Sequence, residues 1–175
     1  MNKSLLRAEM KEKLTKIINF SKRSEALSVY FEEYKTDKDI RNVAVYIAYD
    51  TECDVLPLVE KLWEEDINVY VFEYPKKQDD FALIPWYLTS NIVKMGGVRI
   101  PLESQKVELS DIDMIIVPGL AYTEQGDRLG RGAGFYDQVL EDFDGTSVGV
   151  CFKEQLLEEL PCEEHDISVD LVWSV

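Results

Sequence analysis

Between Val117 and Asp137 the chain reads VPGLAYTEQGDRLGRGAGFYD, and this stretch gathers residue types that can hold a charged oxygen ligand. Arg128 and Arg131 place two permanent cations within one loop. Glycines at 130, 132 and 134 let the backbone turn tightly and leave amide donors exposed. Such amides, ahead of a helix start, suit phosphate oxygens. Asp137, one short turn later, offers a carboxylate to a hard cation such as magnesium. A plain structural turn accounts for the same residues, because glycine loops between strand and helix are common. The spacing fits neither GxxxxGK[ST] nor GxGxxG. Two arginines in a chain of net charge −15 tilt the reading toward an anion.

The elements around this loop must position it. Met114–Val117 is a continuous apolar run, as expected of a strand buried on both faces, and a helix is expected from about Gly134. In open α/β sheets, ligands bind where strands end and helices begin. Val43–Ala48 and Asn68–Phe72 read as two more strands, with helical spacing over 54–65 between them (Val55, Leu58, Val59, Leu62, Trp63). That βαβ unit implies a parallel sheet. Leu6, Met10, Leu14, Ile17 and Ile18 predict an amphipathic helix over 3–20. Ser24 is expected to cap a second helix carrying Leu27, Tyr30, Phe31 and Tyr34. Ser147–Cys151 and Leu171–Trp173 complete the strands, with a short helix over Gln155–Glu159. Residues 74–110, with three prolines and Gly96-Gly97, predict short strands and loops, and Trp86 and Tyr87 there are candidate aromatic walls. One α/β domain over 1–175 is the economical reading.

Composition narrows the partners. The chain has 19 basic and 34 acidic residues. Such a charge repels phosphate backbones and anionic lipid, so neither nucleic acid nor a membrane surface is an expected partner. Cys53, Cys151 and Cys162 form no CxxC pair and are odd in number, which argues against a disulfide framework or zinc site. No apolar run approaches membrane-spanning length. A cytoplasmic monomer binding small molecules is expected.

The loop PGLAYTEQGDRLGRGAGFYD resembles the signature of the 5-formyltetrahydrofolate cyclo-ligases, also called methenyltetrahydrofolate synthetases. Lys3 and Arg7, four apart and so on one helix face, resemble the pair that opens that family's first helix. Thr51-Glu-Cys-Asp54 is similar to its glutamate segment, and Gly97-Val-Arg-Ile-Pro101 to a glycine–proline step. Lys153-Glu-Gln-Leu156, Leu160-Pro161, His165-Asp166 and Val169-Asp170 follow its C-terminal pattern. The resemblance runs nearly the whole chain in order, with the poorest fit over 74–95. Ala133 departs from a frequent lysine or glycine, Val55 from threonine, Ile100 from an acidic residue and Gln138 from arginine.

The resemblance implies a three-layer α/β/α domain with a mainly parallel sheet, similar to that of sugar-phosphate isomerases and CoA transferases. It implies ATP as co-substrate, magnesium, and closure of 5-formyltetrahydrofolate to 5,10-methenyltetrahydrofolate through phosphorylation of the formyl oxygen. Carried over by position, ATP would be held by Lys3, Arg7, Arg128, Leu129, Gly130, Arg131, Gly132, Ala133, Gly134, Phe135 and Tyr136. Arg128 and Arg131 would neutralise the transferring group. Asp137 and Asp170 would approach the metal. Ile47, Glu52 and Tyr136 would form the folate side, with Glu52 matching paired N–H donors of the pterin. His165, the single histidine, is read as a local structural residue. The alternative is a nucleotide- or folate-binding regulatory module with weakened catalysis.

Overall fold

The structure is a computed structural model, and it describes residues 2–49, 51–73, 82–95 and 98–175. The expectations resting on Pro75 and on Gly96-Gly97 fall outside these residues. Three helices come first: α1 (Lys3–Leu14), α2 (Phe20–Ser24) and α3 (Ala26–Lys35). They are followed by β1 (Asn42–Val45), α4 (Leu56–Glu64), β2 (Asn68–Phe72) and β3 (Leu83–Pro85). The chain continues through β4 (Ile92–Met95), β5 (Val98–Pro101), β6 (Met114–Val117), β7 (Ala121–Tyr122) and β8 (Arg128–Leu129). It ends with α5 (Phe135–Glu141), β9 (Thr146–Cys151) and β10 (Leu171–Ser174).

Six strands form one sheet in the order β10-β9-β6-β1-β2-β3. All neighbours are parallel except β3, which runs antiparallel to β2 at the edge. β4 with β5 and β7 with β8 form two separate hairpins.

Alternation along the strands divides the core. Val43, Val45, Met114 and Ile116 pack with Leu6, Met10, Leu27, Phe31, Leu58 and Leu62 on the face covered by α1, α3 and α4. Ala44, Ile115 and Val117 point the other way, to Val139 and Leu140 of α5 and to Tyr122. Because both faces are covered, the strands read as unbroken apolar runs. The result is the expected sandwich of helices about a mainly parallel sheet. Among the described residues no helix is long and apolar enough to cross a membrane.

Three helical expectations moved. The helix expected over 3–20 stops at Leu14, and Asn19 takes a left-handed conformation (φ 61°) that redirects the chain into α2. Ile17 stays buried while Ile18 is exposed. Ser24 does not cap α3. Its hydroxyl accepts from the Asp54 amide at 3.2 Å and lies 3.5 Å from Cys53 Sγ, so it ties the helices to the segment after β1. The short helix expected over Gln155–Glu159 is a 3-10 turn at Lys153–Gln155.

Candidate active site

The glycine loop is built from the end of β6 outward. Tyr122, fully buried, donates its hydroxyl to the Val117 carbonyl at 2.7 Å, folding β7 back against the sheet. Its ring lies so close to Gly149 that a Cβ there would stand 2.3 Å from it, which only glycine permits. Gln155, also buried, locks the Pro118–Leu120 turn. Its Nε2 donates to the carbonyls of Gly119 (2.9 Å) and Leu120 (3.2 Å), and its Oε1 accepts from the Phe152 amide (2.8 Å). A buried amide with both ends satisfied holds a turn more firmly than packing alone.

The β7–β8 hairpin then returns Arg128 beneath the turn. Its side chain is only 4% exposed. Nη2 donates to Asp137 Oδ1 at 2.9 Å and Nη1 to the Pro118 carbonyl at 3.4 Å. Nε is buried and has no hydrogen-bond partner among the described residues. An unsatisfied buried donor on a cation is costly. Gly132 adopts φ +105°, where a side chain would be strained, and Arg7 packs against it while its Nε donates to the Gly130 carbonyl at 2.9 Å. Helix α1 thereby holds the loop from outside.

On the opposite side, the chain leaves β1 at Val45 rather than at the expected Ala48. Tyr46 donates its hydroxyl to the Cys53 carbonyl at 2.7 Å, closing 46–53 into a loop. This raises Glu52 to the mouth of the sheet with its side chain 8% exposed. Glu52 Oε1 accepts from Arg131 Nε at 2.8 Å, and Oε2 accepts from the Tyr49 amide at 2.9 Å. Lys3 pairs with Glu163 at 3.0 Å and with Asp166. Burial opposes its charge, but the hydrogen bonds to Asp166 and Glu163 win and raise its pKa. Asp166 moves the opposite way: burial opposes ionisation, and Lys3 overcomes it to lower the carboxyl.

These groups surround a cavity of about 500 Å³. Of the expected site residues, Lys3, Arg7, Ile47, Glu52 and the whole run from Arg128 to Asp137 line it. Asp170, expected to approach a metal together with Asp137, does not line it. Its Oδ2 accepts from the Ser147 amide and hydroxyl, each at 2.7 Å, at the start of β9. Trp86 is a second case. It is buried against Trp63 at 5.5 Å and lies outside the cavity, as does the half-exposed Tyr87. The aromatic wall comes instead from Phe72, Phe135 and Tyr136, packed edge to face at 5.1–6.0 Å. Desolvation, followed by the nearby Glu52 charge, pushes the Tyr136 phenol well above its ordinary range, so it stays neutral.

Sequence reasoning missed Tyr49, Arg99, Glu73 and Glu163 as lining residues. Arg99 projects from the β4–β5 hairpin and donates to the Ala48 carbonyl. No local pattern identifies these positions, because each reaches the cavity from a different segment. Desolvation pushes the Cys53 thiol up to about 11 and Cys151 up to about 12, as suits packing residues rather than nucleophiles.

A parallel sheet whose carboxyl ends open on a glycine loop, two arginines and an acidic group defines an α/β protein with a cleft at its strand ends. The chain belongs to the 5-formyltetrahydrofolate cyclo-ligase family, whose sequence model matches residues 1–175. It is 33% identical over 140 residues to the 5-formyltetrahydrofolate cyclo-ligase of Escherichia coli K12, covering 74% of this chain and 75% of that one. It is 23% identical to the Mus musculus 5-formyltetrahydrofolate cyclo-ligase over 95% of this chain and 90% of that one. The solved 5,10-methenyltetrahydrofolate synthetase of Aquifex aeolicus superposes with a TM-score of 0.81 at 28% identity, over 99% of this chain and 90% of that one. That of Mycoplasma pneumoniae, at 22% identity over 98% of both chains, shares the fold with a TM-score of 0.75. Family membership implies that ATP is used.

Proposed function

We propose that this chain is a 5-formyltetrahydrofolate cyclo-ligase that works through the cleft described above. The observation that carries the reading is the juxtaposition of Arg128, Arg131 and the glycine loop with Glu52 across one cavity. The formyl oxygen attacks the γ-phosphorus of ATP, and ADP departs. N10 of the folate then attacks the formyl carbon of the resulting imidate phosphate and loses its proton. The C–O bond breaks, and inorganic phosphate leaves with the ring closed. Phosphoryl transfer needs positioning and charge neutralisation more than a protein nucleophile, and the cleft supplies both.

Arg128 is rigid: packed, paired with Asp137 and fixed against the Pro118 carbonyl. Held in this way, its guanidinium can act without reorganising, which is how preorganised cations lower a barrier. Arg131 is more exposed and reaches the transferring group from the other end of the loop. Arg7 and Lys3 add positive charge from α1. Ala133 contributes none, so the arginines and α1 carry the neutralisation. Glu52 accepts the N–H donors of the pterin, and Tyr136 and Ile47 wall its ring.

Magnesium fits one end of this arrangement. Asp137 Oδ1 accepts from Arg128 and, at 3.4 Å, from the Ile167 amide, while Oδ2 has no protein partner among the described residues. Magnesium is commonly held by one or two carboxylates together with substrate phosphates. Asp137 lines the cavity and would hold the ion, which would add charge neutralisation at the phosphates.

The test is near-ultraviolet absorbance of the methenyl-folate band with purified protein, magnesium, ATP and 5-formyltetrahydrofolate. ATP-dependent growth of the band is expected. ATP binding without any growth would leave a binding module in place of an enzyme.

A further inference from the structure

Glu52 and Arg131 come from segments 79 residues apart and meet across the cavity. Both oxygens of Glu52 already carry a donor: Arg131 Nε at 2.8 Å and the Tyr49 amide at 2.9 Å. Arg131 is laid along the same segment. Its Nη2 reaches Thr51 Oγ1 at 3.4 Å, and its guanidinium lies 5.6 Å from the Tyr49 ring centroid. The group assigned to phosphate therefore pairs with the group assigned to the pterin.

The two partners are unequal. The Glu52 side chain is 8% exposed, whereas Arg131 is 39% exposed. Arg131 can turn to solvent or to a phosphate at little cost. A buried carboxylate deprived of its counter-ion is strongly destabilised. A nucleotide binding alone must leave Glu52 without its counter-ion when it takes Arg131, with only the Tyr49 amide as donor. A folate binding alone must compete with Arg131 for the carboxylate. With both substrates present, phosphate satisfies the guanidinium and the pterin N–H donors satisfy the carboxylate.

We propose that the Glu52–Arg131 ion pair is a shared latch that makes the two substrates bind synergistically, each opening the other's site. The inference rests on the roles given to Arg131 and Glu52 under Proposed function. It adds that those roles are mutually exclusive until both ligands arrive. Linkage requires the enhancement to be the same factor for either ligand.

The test is calorimetric titration of the full chain with 5-formyltetrahydrofolate, with and without magnesium and the β,γ-imido analogue of ATP, and the reverse titration. In the unaltered protein each ligand is expected to bind roughly tenfold more tightly in the presence of the other, within the usual range for coupled sites. In Arg131→Gln, folate alone is expected to bind several-fold more tightly than in the unaltered protein, and the analogue no longer changes its affinity. An ordinary binding role for Arg131 toward folate predicts the opposite sign. Arg131→Lys, which keeps the charge without the guanidinium geometry, is expected to show reduced coupling and serves if the glutamine variant does not fold. Equal folate affinity with and without the analogue, or weaker folate binding by Arg131→Gln, overturns the latch even while turnover continues. Absence of both folate binding and turnover in the unaltered protein removes the proposed function, and the latch with it.

Discussion

The two ends of the central sheet use the same residue type for opposite purposes. At the amino ends, Asp113 directly precedes β6 and accepts from the amides of Arg41 and Asn42 where β1 begins, at 2.9 and 2.8 Å. Asp170 directly precedes β10 and does the same for Ser147 at the start of β9. Each carboxylate stitches one strand start to its neighbour. At the carboxyl ends, Glu52 and Asp137 face Arg131 and Arg128. The amides at these strand starts are fixed in the sheet. A guanidinium can exchange its carboxylate for a phosphate. Asp113 and Asp170 thus tie strand starts together, whereas Glu52 and Asp137 pair with arginines at the cavity.

The sharpest way to break this contrast is at Arg128. Its replacement by Ala removes a preorganised cation from the transferring group, and kcat should fall about 10²–10³-fold. The methenyl band measures this directly, and near-normal turnover would make Arg128 a structural residue like Asp113. Glu52→Gln keeps the shape but loses the charge facing the pterin. Its KM for folate should rise about tenfold or more, as for a hydrogen bond to a charged group, with a smaller change for ATP. A larger change for ATP than for folate would exchange the two sides of the cavity.

At the other end of the sheet, Asp170→Asn should lower unfolding stability by about 1–2 kcal/mol, typical of losing charge-assisted bonds to backbone and hydroxyl. Denaturant titration checks the loss, and kcat/KM and magnesium dependence should not move. Weakened magnesium dependence in that variant would return Asp170 to the site. The smallest expected effect is a pH dependence. The Asp166 carboxyl is lowered below its ordinary value of 3.8 by its pairing with Lys3, against the opposing effect of burial. Its contribution to stability is therefore full above pH 3.8 and is lost as pH falls below it. In Lys3→Met that acid-side loss should shrink, as read from melting temperatures across the range.

The parts of the cavity differ in how far they were legible. The run from Arg128 to Asp137 is one contiguous stretch, so composition and the family resemblance both singled it out, and all of it lines the cavity. Arg99 and Glu163 reach the cavity from a hairpin and a C-terminal loop, and nothing local to either announces this. Asp170 is a different case. An aspartate just ahead of a strand has the same sequence context whether it serves a metal or a neighbouring strand, and only the register of β9 with β10 separates the two. Trp86 looked like a pocket wall, but the edge-to-face contact with Trp63 drew it into the core.

The amino-acid sequence by itself determined the alternation of apolar runs and helical stripes, and hence a parallel sheet covered on both faces. It also determined where the backbone can turn and carry cations, because glycine conformation and arginine charge are local properties. Only the tertiary structure decided which charges meet. The Glu52–Arg131 pair joins positions 79 apart, and Lys3 meets Asp166 from the opposite end of the chain. Such contacts depend on strand order and on how each connecting loop leaves the sheet, which arise from long-range packing rather than from any neighbourhood of residues.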